Sequence, residues 1–124
     1  MSCNLSMEER RAEWVKDLRS GEFKQAQEAL QIGDGFCCLG VACKTYERLT
    51  GDKLPVDDNG IFAKRTLVGG FKRVKQYFGL VSNSGGYFVG GRRSYLANDN
   101  DVFGKLFPEI ADIIESKPEG LFID

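Results

Sequence analysis

Apolar side chains recur every three or four residues in four segments of the chain, and this spacing predicts four helices. The first segment begins with Ser6 and Glu9, which have the spacing of a capping box, and ends at Gly21. The second covers residues 38–50 and ends at Gly51. The apolar faces are formed, in chain order, by Met7, Trp14, Val15 and Leu18 with the stem of Arg11; by Leu39, Ala42, Tyr46 and Leu49; by Phe71, Val74, Tyr77 and Phe78, before Gly79; and by Phe107, Ile110, Ala111 and Ile114, before Pro118.

Short apolar runs beside glycine indicate strands between these helices. Residues 87–89 and 92–96 flank Gly90-Gly91, and we expect two short strands joined by a glycine turn. Residues 22–38 fit either a hairpin or a short second helix. The turn residues Gly33-Asp34-Gly35 favour the hairpin.

These elements predict a single α+β domain over residues 1–124, with three or four helices packed on a small antiparallel sheet. The 42% apolar content suits one core. We expect residues 1–5 to be disordered, residues 52–69 to form a loop with short strands, and residues 121–123 to dock on the core. The predicted core comprises Trp14, Leu18, Leu39, Tyr46, Val74, Phe78, Ile110 and Ile114.

The chain contains no histidine, and this excludes several kinds of site. A Ser-His-Asp triad, a Cys-His dyad, a His-ligated zinc and a histidine pH switch all require that residue. Residues 1–9 contain no apolar stretch of the kind that a signal peptide needs, and no run reaches about 18 apolar residues, so we expect neither a signal peptide nor a membrane span. We therefore expect a cytoplasmic protein without a membrane partner, whose four cysteines are reduced.

Three cysteines, Cys37, Cys38 and Cys43, lie around the start of the second helix. On a helix their side chains point in separate directions, so they do not converge on zinc as Cys-x-x-Cys ligands do. The pattern favours small buried packing residues. A metal site that includes Cys3 and a thiol activated by the helix N-terminus are the alternatives. We expect no metal and no cofactor.

Two acidic clusters suggest functions that their spacing does not support. The Asn-Asp-Asn-Asp run at residues 98–101 resembles part of a calcium loop, but counting from Asp99 puts Ile110 where that loop needs Glu. A polar turn entering the last helix is the simpler expectation. A second cluster fits a solvated helix face better than a mimic of a nucleic-acid backbone; it consists of Glu109, Asp112, Glu115 and Glu119.

Charge is distributed unevenly along a chain whose net charge is −1. Residues 61–97 carry seven basic side chains, no acidic one and several aromatic residues. Cations pair with phosphate, aromatic rings stack on bases, and glycine-rich backbone can donate N–H groups to an anion. An ordinary charged surface is the alternative interpretation. The candidate ligand-binding residues are Arg92 and Arg93 for phosphate, Lys72 and Arg73 at the start of the third helix, and Tyr87 or Tyr95 for stacking.

Several motifs resemble a group of small proteins encoded by tailed bacteriophages. They are Trp14-Val15-x-x-Leu18-Arg19-Ser20-Gly21, Phe36-Cys37-Cys38-Leu39-Gly40-Val41-Ala42-Cys43, Phe78-Gly79-Leu80, Leu96-Ala97-Asn98-Asp99, Phe107-x-Glu109-Ile110-Ala111-Asp112-x-Ile114-Glu115 and Pro118-x-Gly120-Leu121-Phe122. The chain departs from that group at Leu106, where such proteins often have a Ser cap, and Pro108 presets the first turn instead. The group has no established activity. The resemblance therefore implies an accessory protein of the infected bacterial cytoplasm, without a mechanism.

Three functions fit these observations. The favoured one is a non-catalytic protein that sequesters an anionic, phosphorylated small molecule, such as a nucleotide signal of host immunity, in a pocket that a homodimer can close. The second is an inhibitor that binds a host enzyme through an aromatic and arginine surface. The third is a histidine-free phosphoesterase that uses the carboxylates of Asp57-Asp58 or Asn98-Asp99.

Overall fold

Five helices and two small sheets form within residues 5–27, 31–32, 35–54 and 69–123, which the computed structural model describes. The elements are, in chain order, α1 (Met7–Arg19), β1 (Lys24–Gln25), β2 (Gln31–Ile32), β3 (Gly35–Phe36), α2 (Cys38–Thr50), α3 (Gly69–Phe78), β4 (Gly86–Val89), β5 (Arg92–Tyr95), α4 (Leu96–Asp101) and α5 (Phe107–Glu115). This mixture of helices and small sheets confirms the predicted α+β class.

Helix α1 begins at the predicted capping box. The Ser6 hydroxyl accepts a hydrogen bond from the Glu9 N–H at 3.1 Å, and the Glu9 carboxylate accepts one from the Ser6 N–H at 2.8 Å. The bond to the Ser6 backbone, more than that to its hydroxyl, lowers the pKa of Glu9. The box pairs two donors that a helix N-terminus would otherwise leave without a partner.

Helix α2 is buried along most of its length and begins at Cys37. The Cys37 sulfur accepts a hydrogen bond from the Gly40 N–H at 3.4 Å, so a thiol takes the place of the usual oxygen cap. The Trp14 indole of α1 donates to the Cys38 carbonyl at 3.1 Å. The predicted bounds of α2 and its end at Gly51 are confirmed.

The core lies where α2, α3 and α5 pack around α1. All eight predicted core residues are buried. Trp14 and Phe78 are the largest fully buried side chains among them, and their ring centroids are 5.3 Å apart. Because full burial of a large apolar side chain contributes roughly 1.5–3 kcal/mol, this set accounts for much of the driving force for folding.

The N-terminal sheet contains the hairpin expected in residues 22–38, with an added strand. β2 pairs antiparallel with β3, so that Gln31 faces Phe36, while the turn residues 33–34 lie outside the described part. β1 pairs with the other edge of β3 in parallel. The sheet is therefore mixed and not purely antiparallel as predicted, because the chain crosses from β1 to β2 before it returns along β3.

The second sheet is the predicted glycine-turn hairpin of β4 and β5. Gly90 and Gly91 have φ values of +55° and +79°, which suits the two-residue turn that matches strand twist. The C-terminal tail covers the free edge of β4, where the Phe88 N–H donates to the Glu119 carbonyl at 2.8 Å. Leu121 is buried in this arrangement, which confirms the docking of the tail.

Residues 96–101 differ from their prediction. Expected as the end of a strand and a polar turn, they form helix α4, because Leu96 enters the core and two of the polar side chains find buried partners. Leu5, expected to be disordered, is half-buried, and its carbonyl accepts a hydrogen bond from Arg10 at 3.2 Å. Residues 1–4 and 55–68 lie outside the described part, and so does most of the loop predicted over residues 52–69.

Candidate functional site

A cleft of about 540 Å³ opens between the β4–β5 hairpin and α4. It is bounded by the hairpin, by the exposed side of α4 and by the turn after α4. The lining residues are Val89, Arg92, Arg93, Ser94, Tyr95, Asn98 and Phe103. Three of the six candidate ligand-binding residues therefore meet at one place.

The register of the hairpin decides which side chains face outward. Phe88 pairs with Arg93, and Gly86 pairs with Tyr95, so these four side-chain positions share one face. The Arg93 guanidinium lies 5.1 Å from the Phe88 ring centroid and 5.4 Å from that of Tyr95. Stacking of this kind fixes the plane of a guanidinium and leaves its N–H groups free to donate in that plane.

The cleft is positively charged. None of the described residues that line it is acidic. Across the described part of the chain, neither Arg92 nor Arg93 forms an ion pair, whereas Arg73 lies 3.2 Å from Asp52. Two exposed cations without a carboxylate partner are available to attract an anion.

Buried polar bonds hold α4 against the hairpin. The Tyr87 hydroxyl donates to the Asp99 carboxylate at 2.5 Å, and the Lys105 ammonium approaches the other oxygen of that carboxylate at 3.5 Å. Asp99 and Tyr87 are both buried, so these partners offset the cost of removing the carboxylate from water. The bond fixes the position of α4 relative to β4.

Asn100 ties α4 to the N-terminal sheet and to α2. Its side-chain oxygen accepts hydrogen bonds from the Gln25 amide at 2.8 Å and from the Cys38 N–H at 3.3 Å. Its amide nitrogen donates to the Ala26 carbonyl at 2.8 Å. A fully buried amide with three such partners fixes α4 on its inner side. The neighbouring Asn98 is thereby held toward solvent.

Tyr87 does not serve the stacking role proposed for it. Only 3% of the residue is exposed, and its hydroxyl is bonded to Asp99. Burial and, after it, the bond to Asp99 raise the pKa of Tyr87. The ring faces the core because Tyr87 pairs with Ser94 on the inner face of the hairpin. Tyr95, on the opposite face, remains available.

Lys72 and Arg73 lie on α3, which packs against α1 and α2, and neither residue lines the cleft. Both are exposed. The Asp52 carboxylate that pairs with Arg73 has its pKa lowered by the Tyr46 hydroxyl first and by Arg73 second. The structure therefore does not bring the two basic pairs of the prediction into one site.

Asn98 and Phe103 line the cleft but were not among the predicted ligand-binding residues. Asn98 belongs to a motif that carries the phage resemblance, although nothing in the motif states its role. Phe103 follows a polar run and precedes Gly104, outside every predicted apolar face. The sequence did offer one signal for Phe103: it is a large aromatic residue at a position that no core pattern explains.

The cysteines match the packing interpretation. Cys37, Cys38 and Cys43 are buried thiols, and burial raises the pKa of the Cys43 thiol. No cluster of three or more cysteine, aspartate or glutamate side chains suited to a metal occurs among the described residues. Cys3 and Asp57-Asp58 lie outside the described part, and Asp99 is engaged by Tyr87.

The acidic side chains of α5 have local partners. The Arg19 guanidinium donates to Asp112 at 2.6 Å and to Glu115 at 3.0 Å, on the surface between α1 and α5. Glu109 accepts from the Leu106 N–H at 3.0 Å, so it caps the helix whose N-cap residue has no polar side chain. These contacts agree with the solvated-face interpretation.

Within the described ranges, no helix has both the length and the apolar character needed to cross a bilayer.

One family model matches part of the chain, slightly less than half of its length. Residues 7–66 match the family model of a domain of unknown function, DUF8296, which spans α1, the N-terminal sheet and α2. The cleft residues lie beyond that match. Neither the curated proteins nor the solved structures gave a match to this chain.

Proposed function

We propose that this protein binds and sequesters a phosphorylated small molecule in the hairpin cleft, without transforming it. One observation carries the proposal: Arg92 and Arg93 both line a cleft of about 540 Å³ in which no described lining residue is acidic. That volume lies within the range of about 300–1,000 Å³ in which small-molecule sites fall. The N–H groups of an arginine guanidinium suit the several oxygens of a phosphate group.

Among the described lining residues, no carboxylate, histidine or lysine is present to act as a base, and this supports capture without catalysis. The chain has no histidine, and the carboxylate nearest in sequence to the cleft, Asp99, is buried and bonded to Tyr87. General acid–base catalysis would need a titratable group within reach of the ligand. Given the resemblance to accessory proteins of tailed phages, the proposed setting is the infected bacterial cytoplasm and the proposed target a nucleotide signal of host immunity.

Mass spectrometry of captured ligands tests the proposal. The purified protein is equilibrated with an extract of infected bacteria, repurified and denatured, and the released small molecules are identified. We expect one phosphorylated compound at near-stoichiometric amount. The variant Arg92→Glu/Arg93→Glu should release none of it.

A matched control separates the site from overall charge. Lys72→Glu/Arg73→Glu changes the net charge of the protein by the same amount, but on α3, away from the cleft. It should capture the compound as the wild type does. Equal loss in both variants, or no captured compound with the wild type, would overturn the proposal.

A second candidate function is supported by the apolar rim of the cleft. Val89 and Phe103 are 57% and 69% exposed and lie beside the two arginines. Exposed apolar and aromatic groups next to arginine are typical of protein interfaces, so a host enzyme is the alternative partner. Affinity purification from nuclease-treated host lysate tests it. A stoichiometric protein lost with Phe103→Ala, and slower association at high salt, would favour this function.

A further inference from the structure

Two groups in the cleft have chemistry that a site for bare phosphate does not need. Asn98 is exposed, and its side-chain amide forms no hydrogen bond within the described part of the chain. Phe103 presents an aromatic ring to solvent on the turn after α4. Both line the same cleft as the two arginines.

The backbone holds Phe103 in this exposed position. Its N–H donates to the Asn98 carbonyl at 3.0 Å, and the Lys105 N–H, two residues later, donates to the Asp99 carbonyl at 2.9 Å. The turn is thus bonded to α4, whose inner side Asp99 and Asn100 anchor. The backbone position of Phe103 is thereby fixed, and its exposed ring offers an apolar face on which a nucleobase can stack.

The Asn98 amide narrows the choice of base. An asparagine side chain has one acceptor and two donors, and it forms a bidentate pair with the amino group and a ring nitrogen of adenine. The Watson–Crick edge of guanine presents two neighbouring donors, which a carboxylate matches best, and no described lining residue supplies one. The amide of Asn98 therefore favours adenine over guanine.

We infer that the cleft takes an adenine nucleotide, with its phosphates on Arg92 and Arg93, its base stacked on Phe103 and the edge of the base bound by Asn98. This inference rests on the proposed function, because it assigns the other end of the same ligand. It goes further in naming the base and the two residues that recognise it.

Calorimetric titration with ADP, GDP and inorganic pyrophosphate tests the inference. Pyrophosphate lacks a base, so it measures the arginine contacts alone. We expect the wild type to bind ADP at least about tenfold more tightly than pyrophosphate or GDP. Phe103→Ala should lower the affinity for ADP about tenfold and leave the affinity for pyrophosphate unchanged. Phe103→Trp should retain the affinity for ADP. Asn98→Ala should bring the ADP and GDP affinities within about threefold of each other.

Leu106→Ala serves as the control, because Leu106 is 62% exposed, close to Phe103 in sequence and absent from the cleft lining. It should bind all three probes as the wild type does. Equal affinity for ADP and pyrophosphate, an unchanged ADP affinity in Phe103→Ala, or a preference for GDP would overturn the inference and leave the proposed function standing. If neither ADP nor pyrophosphate bound the wild type, both proposals would be overturned.

Discussion

Two pairs of adjacent arginines, Arg10-Arg11 and Arg92-Arg93, differ in whether their guanidinium groups are bonded to the rest of the protein. The first pair lies on α1 and is bonded into the structure. The Arg10 guanidinium donates to the Tyr77 carbonyl at 3.1 Å, and that of Arg11 donates to the Phe78 carbonyl at 2.8 Å. These carbonyls end α3, where a helix leaves acceptors unpaired and favours positive charge.

The second pair lies at the start of strand β5, next to the glycine turn. Within the described chain, Arg92 and Arg93 form neither an ion pair nor a hydrogen bond to a carbonyl, and Arg93 only stacks on aromatic rings. The comparison shows that the role of two adjacent arginines depends on the groups around them and cannot be inferred from the sequence motif. A neighbouring helix C-terminus makes the first pair structural. The second pair has no carboxylate partner among the described residues and is available to a ligand.

Replacing one arginine of each pair should change the unfolding free energy by very different amounts, and the larger change should come from Arg11. Arg11→Met removes the donor to a buried carbonyl and a guanidinium that lies 3.8 Å from the Phe122 ring centroid. We expect the unfolding free energy to fall by about 2–3 kcal/mol, or Tm by roughly 10 °C. The matched change Arg93→Met should cost less than about 0.5 kcal/mol. Urea denaturation measures both, and similar losses would remove the distinction between the pairs.

Charge reversal should separate the pairs by ligand affinity. Arg92→Glu/Arg93→Glu removes two charge-assisted contacts, each contributing roughly 1.5–3 kcal/mol, and adds repulsion. Affinity for pyrophosphate should fall at least about a hundredfold, with folding nearly unchanged. Lysine at both positions should restore only part of the affinity, because lysine lacks the bidentate fork. A full recovery with lysine would show that charge alone, and no fitted geometry, holds the ligand.

Salt should weaken the interactions of Arg92 and Arg93 with a ligand much more than the bonds of Arg10 and Arg11 to carbonyl groups. Raising the ionic strength from about 0.05 M to about 0.5 M screens exposed charges strongly and buried contacts little. Pyrophosphate affinity, which depends on Arg92 and Arg93, should fall about tenfold. The Tm, which depends on the bonds of Arg10 and Arg11 to carbonyls, should change little by comparison. A thermal melt and a calorimetric titration in the same buffers make the test, and parallel changes would contradict the account.

Two buried tyrosines, Tyr46 and Tyr87, make a smaller contribution to stability, and this contribution depends on pH. Burial, followed by the bond to Asp52, raises the pKa of Tyr46 to about 12, and burial also raises the pKa of Tyr87. A phenol whose pKa is higher in the folded state than its unfolded value of about 10 stabilises the fold fully below pH 10. That stability is lost as the pH rises toward 12.

The variant Tyr46→Phe/Tyr87→Phe isolates this contribution. Between about pH 9 and pH 11 it should lose less unfolding free energy than the wild type, because it lacks the two shifted phenols. Tyr95→Phe, at the half-buried tyrosine of the cleft, is the control and should follow the wild type. Urea denaturation at the two pH values makes the measurement. An equal loss in the double variant and the wild type would mean that these two phenols carry no such stability.

The helices were predictable because their signals are local. The Ser6–Glu9 box, the apolar period and the glycines after α1 and α2 all lie within one element, and each is confirmed. The two-residue strands β1 to β3 have no period to detect, and the parallel pairing of β1 depends on where the chain returns. Helix α4 was missed because the burial of Asp99 and Asn100 depends on partners from other elements.

The candidate site was predictable in part. The run of basic residues pointed to Arg92 and Arg93, but it could not show that Lys72 lies on a separate surface. The choice between Tyr87 and Tyr95, which the sequence analysis left open, could have been made from the sequence, because a two-residue turn at Gly90-Gly91 makes residue 89 face residue 92. Tyr87 then shares a face with Ser94, while Tyr95 lies on the other face. Only one of the two tyrosines could therefore have stacked beside Arg93.

A crystal structure of the protein equilibrated with an extract of infected bacteria tests the central claim most directly. The account predicts ligand density in the hairpin cleft, with phosphate oxygens within hydrogen-bond distance of Arg92 and Arg93 and no change at Arg10 or Arg11. The same crystals of Arg92→Glu/Arg93→Glu should show an empty cleft. A ligand bound elsewhere, or a cleft that holds only solvent in the wild type, would contradict the account.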